Sequence, residues 1–72
     1  MSSICRIYTD PITSVDTLLD VMDACIAIKL PFYYSSMQNI IRAESRSIRR
    51  ILKLEQELRL MKISYTKSYY RK

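Results

Sequence analysis

Apolar positions recur at intervals of three and four over two stretches of the chain. In the first, Val15, Leu18, Leu19, Val21, Met22, Cys25, Ile26 and Ile28 fall mostly on one side, with Asp16, Asp20 and Asp23 largely on the other. That is the pattern of an amphipathic helix. Asp10-Pro11 supplies an entry pair, Asp as N-cap and Pro at the first helical position. Thr13-Ser14-Val15-Asp16 offers a second start with capping-box spacing. Pro31 closes the helix by pushing Leu30 out of the helical region. The reading is a first helix over 10–29, preceded by an extended arm or strand over 1–9 that centres on Ile4-Cys5-Arg6-Ile7-Tyr8.

In the second stretch, Met37, Ile40, Ile41, Ile48, Ile51, Leu52, Leu54, Leu58 and Met61 continue a helical rhythm. A single seam begun at Met37 and Ile40 would place Glu44 and Ser47 in the buried line, which weakens one continuous rod. The pattern therefore predicts a second helix over 35–42, capped by Ser35-Ser36, then a turn. A third helix over 45–59 follows, capped by Ser45. Beyond Leu58 the character changes to loose alternation around Thr66-Lys67-Ser68, read as a short hairpin or tail over 60–72.

Length and composition narrow this picture. Seventy-two residues make one small domain, which buries only about 60% of its unfolded surface. Two cysteines and no histidine leave no zinc site. Neither cysteine follows a secretory signal pattern, so both are expected as reduced thiols of an intracellular protein, in cytoplasm, nucleoid or nucleus. The run from Ala24 to Tyr34 is broken by Lys29 and Pro31 and is too short for a membrane span. With no histidine and no glycine for a phosphate loop, the chain shows no enzymatic constellation, cofactor motif or effector pocket.

Charge is divided unevenly. Residues 1–36 carry Arg6 and Lys29 against four aspartates, whereas residues 37–72 carry ten Lys or Arg against three glutamates, for a net +5 overall. A basic half on an otherwise acidic domain is the electrostatic footprint of a nucleic-acid binder.

The order helix, break, short helix, tight turn, basic helix, hairpin resembles the winged helix-turn-helix class of DNA-binding domains. Ser36 to Ile63 carries most of the resemblance, with Met37, Ile41, Ala43, Ile48 and Ile51 near the class spacing. It departs at Gln38, Arg42 and Arg59, where the class favours a small residue, a turn glycine and a closing glycine. The resemblance implies a mostly α fold with a small C-terminal β-hairpin. It also implies a transcriptional regulator that binds double-stranded DNA as a homodimer. In that class the basic helix enters the major groove.

Candidate DNA-binding residues follow. Arg46, Ser47 and Arg50 are expected at base edges, and Arg49 and Lys53 at phosphates. Ser36 and the amides beginning the second helix are expected to hold another phosphate. Lys62, Lys67, Arg71 and Lys72, interleaved with Tyr65 and Tyr69 as well as Tyr70, would form the wing. Three other readings fit the same residues. One is an all-α helical hairpin, dimerising into a four-helix bundle, that binds double-stranded RNA by shape and needs one unbroken helix from Ser36 to about Ile63. Another is a β-ribbon of residues 4–8 paired across a dimer. The last is a protein-interaction or inhibitor module that uses Asp16, Asp20 and Asp23.

Overall fold

The computed structural model describes residues 3–71. The chain runs β1 (Ser3–Thr9), α1 (Val15–Ile28), β2 (Phe32–Ser35), β3 (Ile40–Ser45), α2 (Ile48–Leu60) and β4 (Tyr65–Arg71). The strands form one antiparallel sheet in the order β2-β3-β1-β4, the split βαβ arrangement called ferredoxin-like.

One face of the sheet carries both helices. Cys5 and Ile7 of β1 and Ile41 and Ala43 of β3 meet Val21 and Cys25 of α1 and Ile51, Leu54 and Leu58 of α2 in a single core. Each of these residues is at most 1% exposed. Truncating a side chain such as Leu58 to alanine costs about 2–5 kcal/mol, a large share of a small domain's stability.

The expected mostly α, winged helix-turn-helix fold is overturned, and so is the all-α hairpin. Residues 35–42 are not a helix. Phe32-Tyr33-Tyr34-Ser35 forms an edge strand, four residues turn, and Ile40-Ile41 opens a central strand. Met37, Ile40 and Ile41 imitate helical spacing, but the deciding period is two. Ile41 and Ala43 are buried while Arg42 and Glu44 point to the opposite face. Asn39 adopts a left-handed conformation in the turn (φ 55°), which asparagine tolerates. Thr9 Oγ1 accepts the Ile41 N–H at 2.9 Å, and Ile12 N–H donates to the Asn39 carbonyl at 2.8 Å, so the hairpin is tied to β1 and to the loop after it.

Other boundaries move for local reasons. α1 begins after Ser14, whose Oγ accepts the Thr17 N–H, and not at Asp10-Pro11. Asp10 instead donates its N–H to the Ser64 carbonyl at 2.9 Å. α2 is capped by Ser47 rather than Ser45. The expected wing hairpin is a single strand, β4, paired along β1 from Thr9↔Tyr65 to Ser3↔Arg71. β1 is therefore flanked on both edges, which removes the β-ribbon reading.

Both helices end in the same way. Lys29 and Lys62 are left-handed (φ 64° and 58°). Leu30 N–H donates to Cys25 O and Lys29 N–H to Ile26 O, while Ile63 N–H donates to Leu58 O and Lys62 N–H to Arg59 O. These are two Schellman closures. Each uses lysine where glycine is usual, because the chain has no glycine. A side chain in this conformation costs about 1–2 kcal/mol relative to glycine. Lys29→Gly and Lys62→Gly should therefore each stabilise the fold by about 1 kcal/mol, less than the full difference because glycine also frees the unfolded chain. Thermal unfolding should show Tm rising by about 4–8 °C for each.

Candidate nucleic-acid interface

The sheet's second face is left open by both helices. Alternation places on it every other residue of each strand: Ile4, Arg6 and Tyr8 from β1, Ile40, Arg42 and Glu44 from β3, Tyr33 and Ser35 from β2, and Thr66, Ser68 and Tyr70 from β4.

Arg6 is the centre of this surface. Its Nε donates to Glu44 Oε2 at 3.0 Å, Nη1 to Tyr8 OH at 2.9 Å and Nη2 to Tyr70 OH at 2.6 Å. Tyr70 in turn donates its hydroxyl to the same Glu44 Oε2 at 2.6 Å. The guanidinium also lies 4.3 Å from the Tyr70 ring centroid and 5.8 Å from that of Tyr8. One strand further out, the Arg42 guanidinium sits 5.2 Å from the centroid of Tyr33, whose ring is more than half exposed.

These bonds set the charge states. The Tyr70 hydroxyl and the Arg6 guanidinium hold the Glu44 carboxyl below its ordinary value, and the bond to Glu44 raises the Tyr70 phenol. Glu44 is therefore an ionised, oriented carboxylate near neutral pH. Cys5 and Cys25 are both free and buried, and burial pushes Cys25 up to about 11 and raises Cys5, so neither presents a thiolate.

The residues expected at DNA separate into groups. Arg46, Arg49, Arg50 and Lys53 come together at the start of α2, beside Lys29 at the end of α1. The Arg50 side chain also supports the fold there, with Nη1 donating to the Lys29 carbonyl at 3.3 Å, where a cation complements the helix terminus. Ser47 is spent as the cap of α2. Ser36 and Lys62 lie at the other end of the sheet, in the β2–β3 turn and after α2. Tyr65 and Lys67 face the helix layer, donating to the two oxygens of buried Glu55 at 2.8 and 3.2 Å. Tyr69 is exposed on that same side. Arg71 ends β4, and Lys72 lies outside the described residues.

Sequence reasoning missed Arg6, Tyr8, Tyr33, Arg42 and Glu44 as a site. The signal was the alternation in Ile4-Cys5-Arg6-Ile7-Tyr8 and Ile41-Arg42-Ala43-Glu44. The apolar residues of α1 were also misassigned in part. Val15, Leu19 and Ile26 are exposed, at 70%, 51% and 63%, and form a stripe outside the core. No helix is long and apolar enough to cross a membrane among the described residues. Nor do they hold a group of His, Cys, Asp or Glu suited to a metal ion.

Comparison with known proteins adds the fold alone. No family model matches the chain, and no curated protein matches its sequence. Among solved structures, a de novo designed protein, Foldit4, is similar at a TM-score of 0.51 and 14% identity, over 97% of this chain and 94% of that one.

The Glu44 cluster has a pH consequence. A carboxyl held below its unfolded value contributes stability that is present above that value, about 4.3, and is lost as pH falls through the lower folded value. Tyr70→Phe removes the largest cause of the shift. In a carboxyl NMR titration, the Glu44 midpoint should move up towards that of an ordinary glutamate.

Proposed function

We propose that this domain binds single-stranded nucleic acid across the open face of its sheet. The observation that carries the reading is the uncovered surface where Tyr8, Tyr33 and Tyr70 alternate with Arg6 and Arg42. Aromatic rings on a flat sheet accept unstacked bases on their faces, and arginine adds cation–π and phosphate contacts. The basic end formed by Lys29, Arg46, Arg49, Arg50 and Lys53 borders the starts of β1 and β2 and continues the positive potential towards the strand's backbone. Net charge of +5 supports the same reading.

A second reading rests on one observation: Arg46, Arg49 and Lys53 are exposed on the helix side. Their cations would then meet duplex phosphates, as expected of a double-stranded DNA-binding transcriptional regulator. α2 packs on α1 and the sheet, so these cations are offered from its outer face, where phosphate contacts fix position and orientation.

Fluorescence anisotropy with labelled oligonucleotides distinguishes the two. On the first reading, single strands bind and duplexes compete poorly. Tyr33→Ala should weaken binding by about 1–3 kcal/mol, the worth of one stacked base. Affinity should fall with salt at a log–log slope of about −0.7 per phosphate neutralised. Duplex binding that is lost in Arg49→Ala/Lys53→Ala but intact in Tyr33→Ala would favour the second reading.

A further inference from the structure

The open face carries a group that a general polyanion binder does not need. Glu44 is a carboxylate in the middle of a surface proposed to meet phosphates, where it repels the ligand unless something donates a hydrogen to it. Its position is built. Arg6 and Tyr70 both bond Oε2, while Oε1 has no hydrogen-bond partner among the described residues. The carboxylate is thus held on one oxygen and presents the other.

Glu44 also lies beside a place for a base. A cleft of about 210 Å³ is lined by Pro31, Phe32, Tyr33, Arg42 and Glu44. Tyr33 pairs with Arg42 across β2 and β3, and Glu44 is two residues further along β3 on the same face. Glu44 is thus the diagonal cross-strand neighbour of Tyr33, at about 7–8 Å, which suits a ring placed on Tyr33 with its edge towards the carboxylate.

We propose that Glu44 reads the exocyclic amino group of a base seated at Tyr33, so that this position takes cytosine and excludes uracil. The inference rests on the single-strand reading of the open face and names the base class it accepts. Cytosine N4 is an amino donor, and a glutamate oxygen is its natural acceptor. Uracil has the same size and stacking face but carries a carbonyl oxygen there, so its lone pairs would face those of Oε1 with no proton between them. Adenine and guanine also carry amino groups and fall in the accepted class. Arg42 covers the ring or the adjacent phosphate. For the base at Tyr33, Tyr70 and Arg6 are positioning residues that act through Glu44, apart from their own places on the platform.

The test measures affinity of the full chain for oligocytidine and oligouridine of equal length. Oligocytidine should bind tighter by about 5-fold or more, the lower end of what a bidentate base contact discriminates, since one oxygen makes the contact. Glu44→Gln, which offers both a donor and an acceptor, should bring the ratio close to one, mainly by improving uridine binding. Tyr70→Phe, which keeps the ring and loses the bond to Glu44, should reduce the ratio. A probe that alters no protein atom completes the set. Oligomers of N4,N4-dimethylcytidine keep the ring and lose both amino hydrogens, and they should bind no better than oligouridine. Equal affinity for oligocytidine and oligouridine, or full-strength binding of the dimethylated oligomer, would overturn base reading by Glu44 while leaving strand binding in place. Failure of every oligomer to bind would overturn the platform itself.

Discussion

The alternation along β1 and β3 is the constraint on which the rest of the structure depends. Cys5, Ile7 and Thr9 face the helices, and Arg6 and Tyr8 face away. On the neighbouring strand Ile41 and Ala43 face in, and Arg42 and Glu44 face out. A slip of one residue would exchange the two sets. It would bury the Arg6 guanidinium beneath α1 and α2 and set Ile7 in water. Desolvating an unpaired cation is far too costly for a small core to offset. The same alternation therefore fixes the register and creates the open face.

The hydrogen bonds at the sheet's ends reinforce that register without glycine. Thr9, at the end of β1, receives the Ile41 N–H, so a buried hydroxyl ties the two central strands where the ladder begins. Among the described residues, three left-handed positions fall to Lys29, Asn39 and Lys62. Two of them close helices whose last carbonyls would otherwise lack partners. On the helix side, Glu55 is buried with Tyr65 and Lys67 bonded to it and Arg59 3.9 Å away. That cluster pins edge strand β4 to α2. Removing Tyr65 or Lys67 would leave the buried Glu55 carboxylate short of a partner, which costs more than the intact cluster contributes.

Some of this is visible in the amino-acid order and some is not. Both long helices are legible from apolar spacing, because helical contacts are local, and Ser14 stands at one of the two starts read for α1; the cap of α2 is Ser47, two residues beyond the Ser45 that the spacing suggested. The segment 35–42 is misread because Met37, Ile40 and Ile41 fit a helical face, while the strand pattern that competes with it is only a few residues long and includes Ala43. What decides is tertiary: β3 is central, and its ladder partner lies in residues 3–9. The candidate site divides in the same way. The basic face of 46–53 is contiguous in sequence and legible as exposed. The open-face cluster joins Arg6 to Glu44 and Tyr70, which are 38 and 64 residues away along the chain. No periodicity brings such residues together before the strand order is known.

The Arg6 cluster is a poor device for stability and a good one for orientation. Its members are partly exposed, and exposed ion pairs contribute little once side-chain entropy and screening are counted. Apolar side chains at Arg6 and Glu44 would give this face more burial but would remove its directionality. The present arrangement uses three donor groups of one guanidinium and both functions of one phenol to fix a single carboxylate oxygen. Side chains tied this closely lose little further freedom when a ligand arrives, which lowers the cost of binding. They also leave an aromatic ring and an acceptor at a set distance on a rigid sheet. A surface needed only for solubility has no use for that preorganisation, whereas a surface that must tell one base from another does.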